Sequence, residues 1–311
     1  MIAYYNISDD KIATGRPEDA DWIAIKNPTS TEIEKFSDQY DIPRDMFVNS
    51  YFPENITEIE RFDSTVLGDC LYLVLINYRL NKPHSIEKGL YPITYIFNEE
   101  VLITITDEKD ELVKPSVKLN LEEDASPGDF IVDSIINIYH LYVIELNRLK
   151  KTIDEINELA RSSTKRDILI RLSDAERDMV FLEQTLDDQK ETIKALMEDD
   201  LFLKMVTEER QFQEIQRKIK KTEKLVDLYS DLINSTSGLI SEIIDNKLNS
   251  IMEYLDSAQL VITIPTLIFS LWGINTGGLL GSDSPYGSIG VVVFAILLGL
   301  VTYVYLRRKE Y

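Results

Sequence analysis

A stripe of mostly polar side chains runs along one segment near the C-terminal end of the sequence. Its members recur at alternating steps of four and three residues, which places them on one face of a helix, about 100° wide. They are Asp245, Asn249, Met252, Asp256, Gln259, Thr263, Thr266 and Ser270. Carboxylate, amide and hydroxyl oxygens are the ligands that hard cations prefer, directly or through the ion's water shell. The stripe therefore indicates a helix face that meets water or hydrated cations.

Softer metal ligands lie elsewhere in the chain. Cys70, His84 and His140 all precede the stripe by many residues, which disfavours zinc or copper as a tightly held ion there. The sequence contains no Ser-His-Asp, Cys-His or nucleotide-phosphate motif that would support catalysis. We therefore expect a protein that is not an enzyme.

Two apolar segments must position this stripe. Residues 260–274 and 288–306 carry no charged side chain and approach the ~20 residues that span a bilayer. We predict two transmembrane helices, the first of which carries the stripe. Ordinary polar packing between membrane helices is the alternative explanation of its Ser, Thr and Gln residues.

The flanking charges predict the orientation of the two spans. The connection 275–287 has no Lys or Arg, whereas Arg307, Arg308 and Lys309 follow the second span. Because basic residues stay on the cytoplasmic side, we expect both termini in the cytoplasm. The expected location of the protein is the plasma membrane. No signal-peptide pattern occurs at the N-terminus.

The acidic charge is concentrated upstream of the spans. The formal net charge is −21, and since residues 253–311 hold three basic and four acidic residues, residues 1–252 carry −20 of it. This charge argues against a nucleic-acid partner, which needs clustered cations. A single cysteine, Cys70, suits a reducing cytosol.

The upstream region divides into two parts by pattern. Residues 1–127 alternate short β-like runs with a helical patch and predict an α/β domain with a mixed or antiparallel sheet. Residues 128–252 show apolar positions at helical spacing, which predicts three long coiled-coil-like helices with breaks near 162–164 and 198–200. Residues 253–311 form the predicted transmembrane domain. The expected fold class is thus an α+β cytoplasmic domain, long helices and two C-terminal transmembrane helices.

A family likeness rests on three motifs around the first span. These are Asn249-x-x-Met252-x-x-Leu255, then Ile264-Pro265-Thr266, then Trp272-Gly273-Ile274-Asn275. Together with the short connection, the second span and the basic tail, they resemble the CorA family of magnesium channels over the whole chain. The family's usual Gly-Met-Asn is replaced here by Gly-Ile-Asn. The loop lacks the family's Met-Pro-Glu, and Asp256 stands where the family commonly has Thr.

The resemblance implies a funnel-shaped homopentamer that conducts a hydrated divalent cation, Mg²⁺, by passive influx along a pore lined by the first spans. Gly273, Ile274 and Asn275 would form the selectivity ring at the outer mouth, although Asn275 also suits a helix C-cap. Asn249, Met252 and Leu255 would form the inner constriction, although Met252 and Leu255 also suit apolar packing. Asp256 is either a cation site in the pore or a residue reaching the membrane edge.

Crowded carboxylates suggest how such a channel is regulated. Acidic groups repel unless a divalent cation lies between them, so intracellular Mg²⁺ could hold the assembly closed. Asp245 and the cluster Glu198, Asp199 and Asp200 are the candidate regulatory ligands. The functional alternatives are a membrane-anchored coiled-coil scaffold or signalling protein, and a zinc, cobalt or nickel transporter of the same family.

Overall fold

The computed structural model describes residues 2–7, 13–14, 20–47, 56–79, 85–106, 126–162, 166–206, 209–274 and 285–308. They group into two compact units, Met1–Leu159 with Lys165–Thr236, and Ala160–Thr164 with Ser237–Tyr311. The described strands are β1 (Ile2–Asn6), β2 (Ala13–Thr14), β3 (Trp22–Lys26), β4 (Glu58–Ser64), β5 (Gly68–Tyr78), β6 (Leu90–Phe97) and β7 (Leu102–Thr106). The described helices are α1 (Ser30–Tyr40), a 3-10 turn (Arg44–Phe47), α2 (Pro127–Ser162), α3 (Arg166–Glu198), α4 (Asp200–Met205), α5 (Glu209–Trp272) and α6 (Gly287–Arg308).

The described strands form one mixed sheet in the order β2-β1-β3-β7-β6-β5-β4. Strands β3 and β7 pair in parallel, and the other described neighbours pair antiparallel. Strands β6 and β7 form a hairpin. Its turn is closed by Asn98, whose side-chain oxygen accepts hydrogen bonds from the backbone N–H groups of Glu100 and Val101. The mixed sheet agrees with the predicted fold class.

Strand β5 extends beyond the end of its neighbour β4, and side chains from two helices bond the backbone groups of β5 that β4 does not reach. The register pairs β4 with β5 as far as Glu58 and Val74, so Ile76 lies beyond the end of β4. The side-chain oxygen of Gln189 on α3 accepts from the Ile76 N–H at 2.8 Å, and the Tyr142 hydroxyl on α2 donates to the Ile76 carbonyl at 2.9 Å. All three residues are buried, so these bonds satisfy backbone groups that no strand reaches.

Helix α2 begins where the sequence predicts. The Ser126 hydroxyl accepts from the Asp129 N–H at 3.1 Å, and the Asp129 carboxylate accepts from the Ser126 N–H at 3.0 Å. This reciprocal pair caps the helix and places Pro127 at its first position, where the missing N–H costs nothing. Gly128 is required there because a β-carbon would lie 2.8 Å from the Cβ of Met205.

The break predicted near residue 198 contains an extra helix. The sequence predicts three long helices with the last starting near residue 203, whereas α4 occupies residues 200–205 and the last long helix starts at Glu209. Asp199 explains the difference. Its carboxylate accepts from the N–H groups of Leu201 and Phe202 at 2.8 and 3.3 Å, which stabilises a new helix start.

Candidate functional site

Helix α6 and the last part of α5 turn most of their apolar side chains outward. Among the described residues, two helices are long and apolar enough to cross a membrane, and only 6% and 11% of their most apolar windows are buried. A core helix of a soluble protein would instead be mostly buried. The exposed apolar surface therefore fits two spans in a bilayer rather than a buried hairpin.

Small residues of α6 form its contact with α5. Ala295 and Gly299 are buried, and a β-carbon at Gly299 would lie 3.1 Å from the Pro265 Cγ and 3.6 Å from the Val261 carbonyl oxygen. On α5, Ile268 is buried one turn further along. The two helices approach closely because Gly299 has no side chain.

The polar stripe lies on the other side of α5. At 100° per residue, Val261, Pro265 and Ile268 point roughly 180° away from the centre of the stripe. Every stripe residue, and Leu255 beside it, is exposed in the single chain. Helix α6 therefore covers none of the polar face, and within this unit the stripe is not packing between the two spans.

The stripe presents oxygen lone pairs rather than hydroxyl hydrogens at Thr266. Its hydroxyl donates to the Ile262 carbonyl at 2.8 Å, so the oxygen remains available as an acceptor. Thr302 on α6 forms the same bond to the Leu298 carbonyl at 2.9 Å but is half-buried and apart from the stripe. These two threonines have the same local geometry in different surroundings.

The predicted selectivity ring falls where α5 ends. The Gly273 N–H donates to the Phe269 carbonyl at 2.9 Å and closes the last turn, where a β-carbon would lie 3.2 Å from that carbonyl oxygen. Ile274 is exposed. Asn275 lies outside the described residues, so the role of its amide, whether at a pore mouth or as a cap, stays a prediction.

The proposed regulatory acids are not gathered into one site. Asp199 caps α4 and lies 3.8 Å from the Arg61 guanidinium, and Asp245 is exposed on α5. Across the part of the chain that the structure describes, no group of three or more Asp, Glu, His or Cys side chains is arranged to hold a metal ion. The cluster at 198–200 thus has a capping role that the sequence analysis did not assign to it.

A pair of partly desolvated carboxyl groups was missed by the sequence analysis. Glu145 on α2 and Asp178 on α3 line one cavity of 450 Å³ with Tyr78 and Arg148. Burial raises the pKa of Glu145. The Arg148 guanidinium and the Tyr78 hydroxyl each lower this pKa, but they offset only part of the increase. Burial also raises the pKa of Asp178, whose carboxylate accepts from the Ile86 N–H at 3.1 Å. The available signal was that Glu145 lies on the apolar face of α2.

These features define a membrane protein with two C-terminal spans, the first of which presents a polar face, joined to a mixed α/β body with long helices. A model of the family described as CorA-like Mg²⁺ transporter protein matches residues 17–308. The chain belongs to this family, which confirms the resemblance. Membership places it among transporters of magnesium or other divalent cations rather than among enzymes.

Individual relatives support the same assignment. The magnesium transport protein CorA of Helicobacter pylori is 20% identical over 307 residues, covering 93% of this chain and 89% of the relative. The complete structure of the CorA magnesium transporter from Methanocaldococcus jannaschii matches with a TM-score of 0.76 at 17% identity, over 100% of this chain and 97% of that chain. The ZntB cytoplasmic domain from Vibrio parahaemolyticus matches with a TM-score of 0.62 at 12% identity, over 78% of this chain and 98% of that domain. At identities of 12–17%, the likeness to these two structures shows a shared fold and no more.

Proposed function

We propose that the protein conducts Mg²⁺ into the cell through a pore lined by the polar stripe of α5, in a homopentamer in the plasma membrane. The observation that carries this proposal is that α6 packs on the opposite side of α5 and leaves the whole stripe uncovered. Ionisable and amide side chains such as Asp256 and Gln259 are costly against lipid. Copies arranged around an axis would turn them toward water.

The stripe suits a passing hydrated ion. Each chain contributes only one span with a polar face, and one helix cannot enclose a pore. Several chains must therefore contribute the pore lining. Neutral oxygens of Gln259, Thr263, Thr266 and Ser270 can hydrogen-bond the water shell that Mg²⁺ gives up reluctantly, without trapping the ion. A membrane potential of about −100 mV supplies ~4.6 kcal/mol for a doubly charged ion, so influx needs no ATP.

The two ends of α5 have separate proposed roles. Gly273, Ile274 and Asn275 would form the selectivity ring at the outer mouth, and Asn249, Met252 and Leu255 the inner constriction. The cytoplasmic placement of both termini is supported by the basic residues after α6 and by the match of the body to a domain described as cytoplasmic. We retain 1–127, 128–252 and 253–311 as the functional division of the chain.

Intracellular Mg²⁺ is also proposed to regulate the channel. Asp245 is the best-placed of the proposed regulatory acids, because it continues the stripe and its copies would face one another across the axis. Glu198, Asp199 and Asp200 remain secondary candidates, since the Asp199 carboxylate already caps α4. A cation between copies would relieve the repulsion among these acids.

Thr266→Val tests the pore lining. We expect Mg²⁺ influx into proteoliposomes with an inside-negative potential to fall about five-fold, because each copy loses one hydrogen-bond acceptor of ~1 kcal/mol. Thr302→Val is the matched control, since it removes the same backbone-bonded hydroxyl from α6 and should leave influx unchanged. Equal effects of the two variants would contradict the proposal. Competition by Zn²⁺, Co²⁺ and Ni²⁺ in the same assay distinguishes the alternative cargoes.

Asn275→Ala tests the outer mouth. Loss of the amide ring is expected to lower Mg²⁺ influx by about ten-fold or more, because the hydrated ion loses its hydrogen-bond partners there. Asn275→Gln keeps the amide and should retain part of the flux. Undiminished influx through the alanine variant would remove Asn275 from the selectivity ring.

A further inference from the structure

An amphipathic cleft lies between the two spans, near the basic end of α6. It has a volume of 650 Å³ and is lined by residues of α5 and α6 alone. One end is polar, with Glu253 and Ser250 from α5 and Arg307 from α6. The other end is apolar, with Val261 and Ile262, which lie about 14 Å further along α5 at ~1.5 Å per residue. A ligand that fits this cleft has a charged head and an apolar tail.

The polar end of the cleft presents one charge of each sign. Among the described residues, neither Glu253 nor Arg307 has an ion-pair partner, although both line the same cleft. Arginine binds phosphate through two parallel hydrogen bonds, and a carboxylate accepts from an ammonium N–H. A headgroup with a phosphate and a primary amine complements both side chains at once.

Two tyrosines mark the level of the membrane surface. Tyr254 and Tyr303 line the cleft and are exposed. Tyrosine rings favour the headgroup layer of a bilayer, which places Arg307 and Glu253 at the depth of lipid phosphates. The polar end of the cleft is thus at the level of the lipid headgroups, and Val261 at its apolar end is at the level of the acyl chains.

The cleft faces away from the polar stripe. Its α5 residues Tyr254, Ala258 and Val261 point roughly 180° from the stripe centre. The outward orientation of the cleft rests on the proposed function, which turns the stripe toward the axis. A surface on the outside of such an assembly meets lipid rather than a second copy of the chain.

From this cleft we infer that the protein holds a phosphatidylethanolamine molecule, with its phosphate on Arg307, its ammonium on Glu253 and an acyl chain along Val261 and Ile262. The trimethylated ammonium of phosphatidylcholine has no N–H to donate, and phosphatidylglycerol has no cation. The site therefore discriminates among lipids by headgroup.

Lipid retention by the full-length protein tests this inference. The delipidated protein in detergent is titrated with dioleoyl phosphatidylethanolamine, phosphatidylcholine and phosphatidylglycerol, and bound lipid is counted by native mass spectrometry. We expect phosphatidylethanolamine to bind about ten-fold more tightly than the other two, as one charged hydrogen bond provides. Arg307→Gln should weaken binding of all three, and Glu253→Met, which leaves no oxygen to accept the ammonium N–H, should remove the preference over phosphatidylcholine.

Arg308→Gln is the matched control, because it removes the neighbouring cation, which does not line the cleft. Preserved oligomer mass and thermal stability in each variant show that it has folded. Equal binding of the three lipids, equal effects of the Arg307 and Arg308 variants, or no lipid retained at all would each overturn the inference. Ion flux is not part of this measurement, so the lipid site and the pore proposal can fail separately.

Discussion

Replacement of Asp256 by lysine is expected to reduce Mg²⁺ influx by at least about 100-fold. A single lysine about 8 Å from a divalent ion, at an effective dielectric constant of about 20, repels it by ~4 kcal/mol, and every copy would contribute one. Asp256 is exposed at the centre of the stripe, where the sequence analysis left a pore site and a membrane-edge position as alternatives. The measurement is initial influx in proteoliposomes with matched protein content.

Glu253→Lys provides the same change of charge three residues earlier. Glu253 lines the cleft on the α6 side of α5, so its replacement should cost much less flux than that of Asp256. Asp256→Glu keeps the charge and should retain most of the influx. If the two lysine variants lose flux equally, the position of Asp256 on the stripe is irrelevant and a pore role for it is wrong.

Gly299→Leu is expected to destabilise the paired spans strongly. The β-carbon alone would lie 3.1 Å from Pro265, and the remaining side-chain atoms have no space unless α6 moves away. Overpacking of this kind costs about 1–3 kcal/mol, and each copy carries the change. We expect a lower yield of assembled protein and a lower midpoint of thermal unfolding in detergent, followed by tryptophan fluorescence, to which Trp22 and Trp272 both contribute.

Gly290→Leu is the control in the same helix. A β-carbon at Gly290 meets nothing within 4 Å, so leucine there should be neutral or slightly favourable for the helix. Equal losses from the two variants would mean that the close approach at Gly299 does not hold the spans together.

Local signals in the sequence predicted much of the fold. The short β-like runs and the long helices were predicted because each pattern depends on residues only a few positions apart. The parallel pairing of β3 with β7 was not predicted, since the paired residues Trp22 and Leu102 lie 80 positions apart in the sequence. The sequence pattern of one strand does not indicate which distant strand will lie next to it in the sheet.

The candidate site divides in the same way. The 3.5-residue repeat predicted a polar face on α5, but it could not show which side α6 would cover, because that depends on Gly299 and Pro265 fitting together. The regulatory role predicted for the acids at 198–200 stays a prediction, and Asp199 also caps α4, a helix that the sequence pattern does not reveal. The Glu145 cavity needs α2, α3 and β5 together, so no single segment predicts it.

The helix side chains that complete the edge of β5 also set an order of events during synthesis. Gln189 follows Ile76 by 113 residues, so at about 5–20 residues per second the ribosome delivers it roughly 6–23 s later. During that interval the buried edge at Ile76 lacks its helix partners and is open to pairing with another chain. We therefore expect this edge of β5 to stay open to mispairing until α3 has emerged.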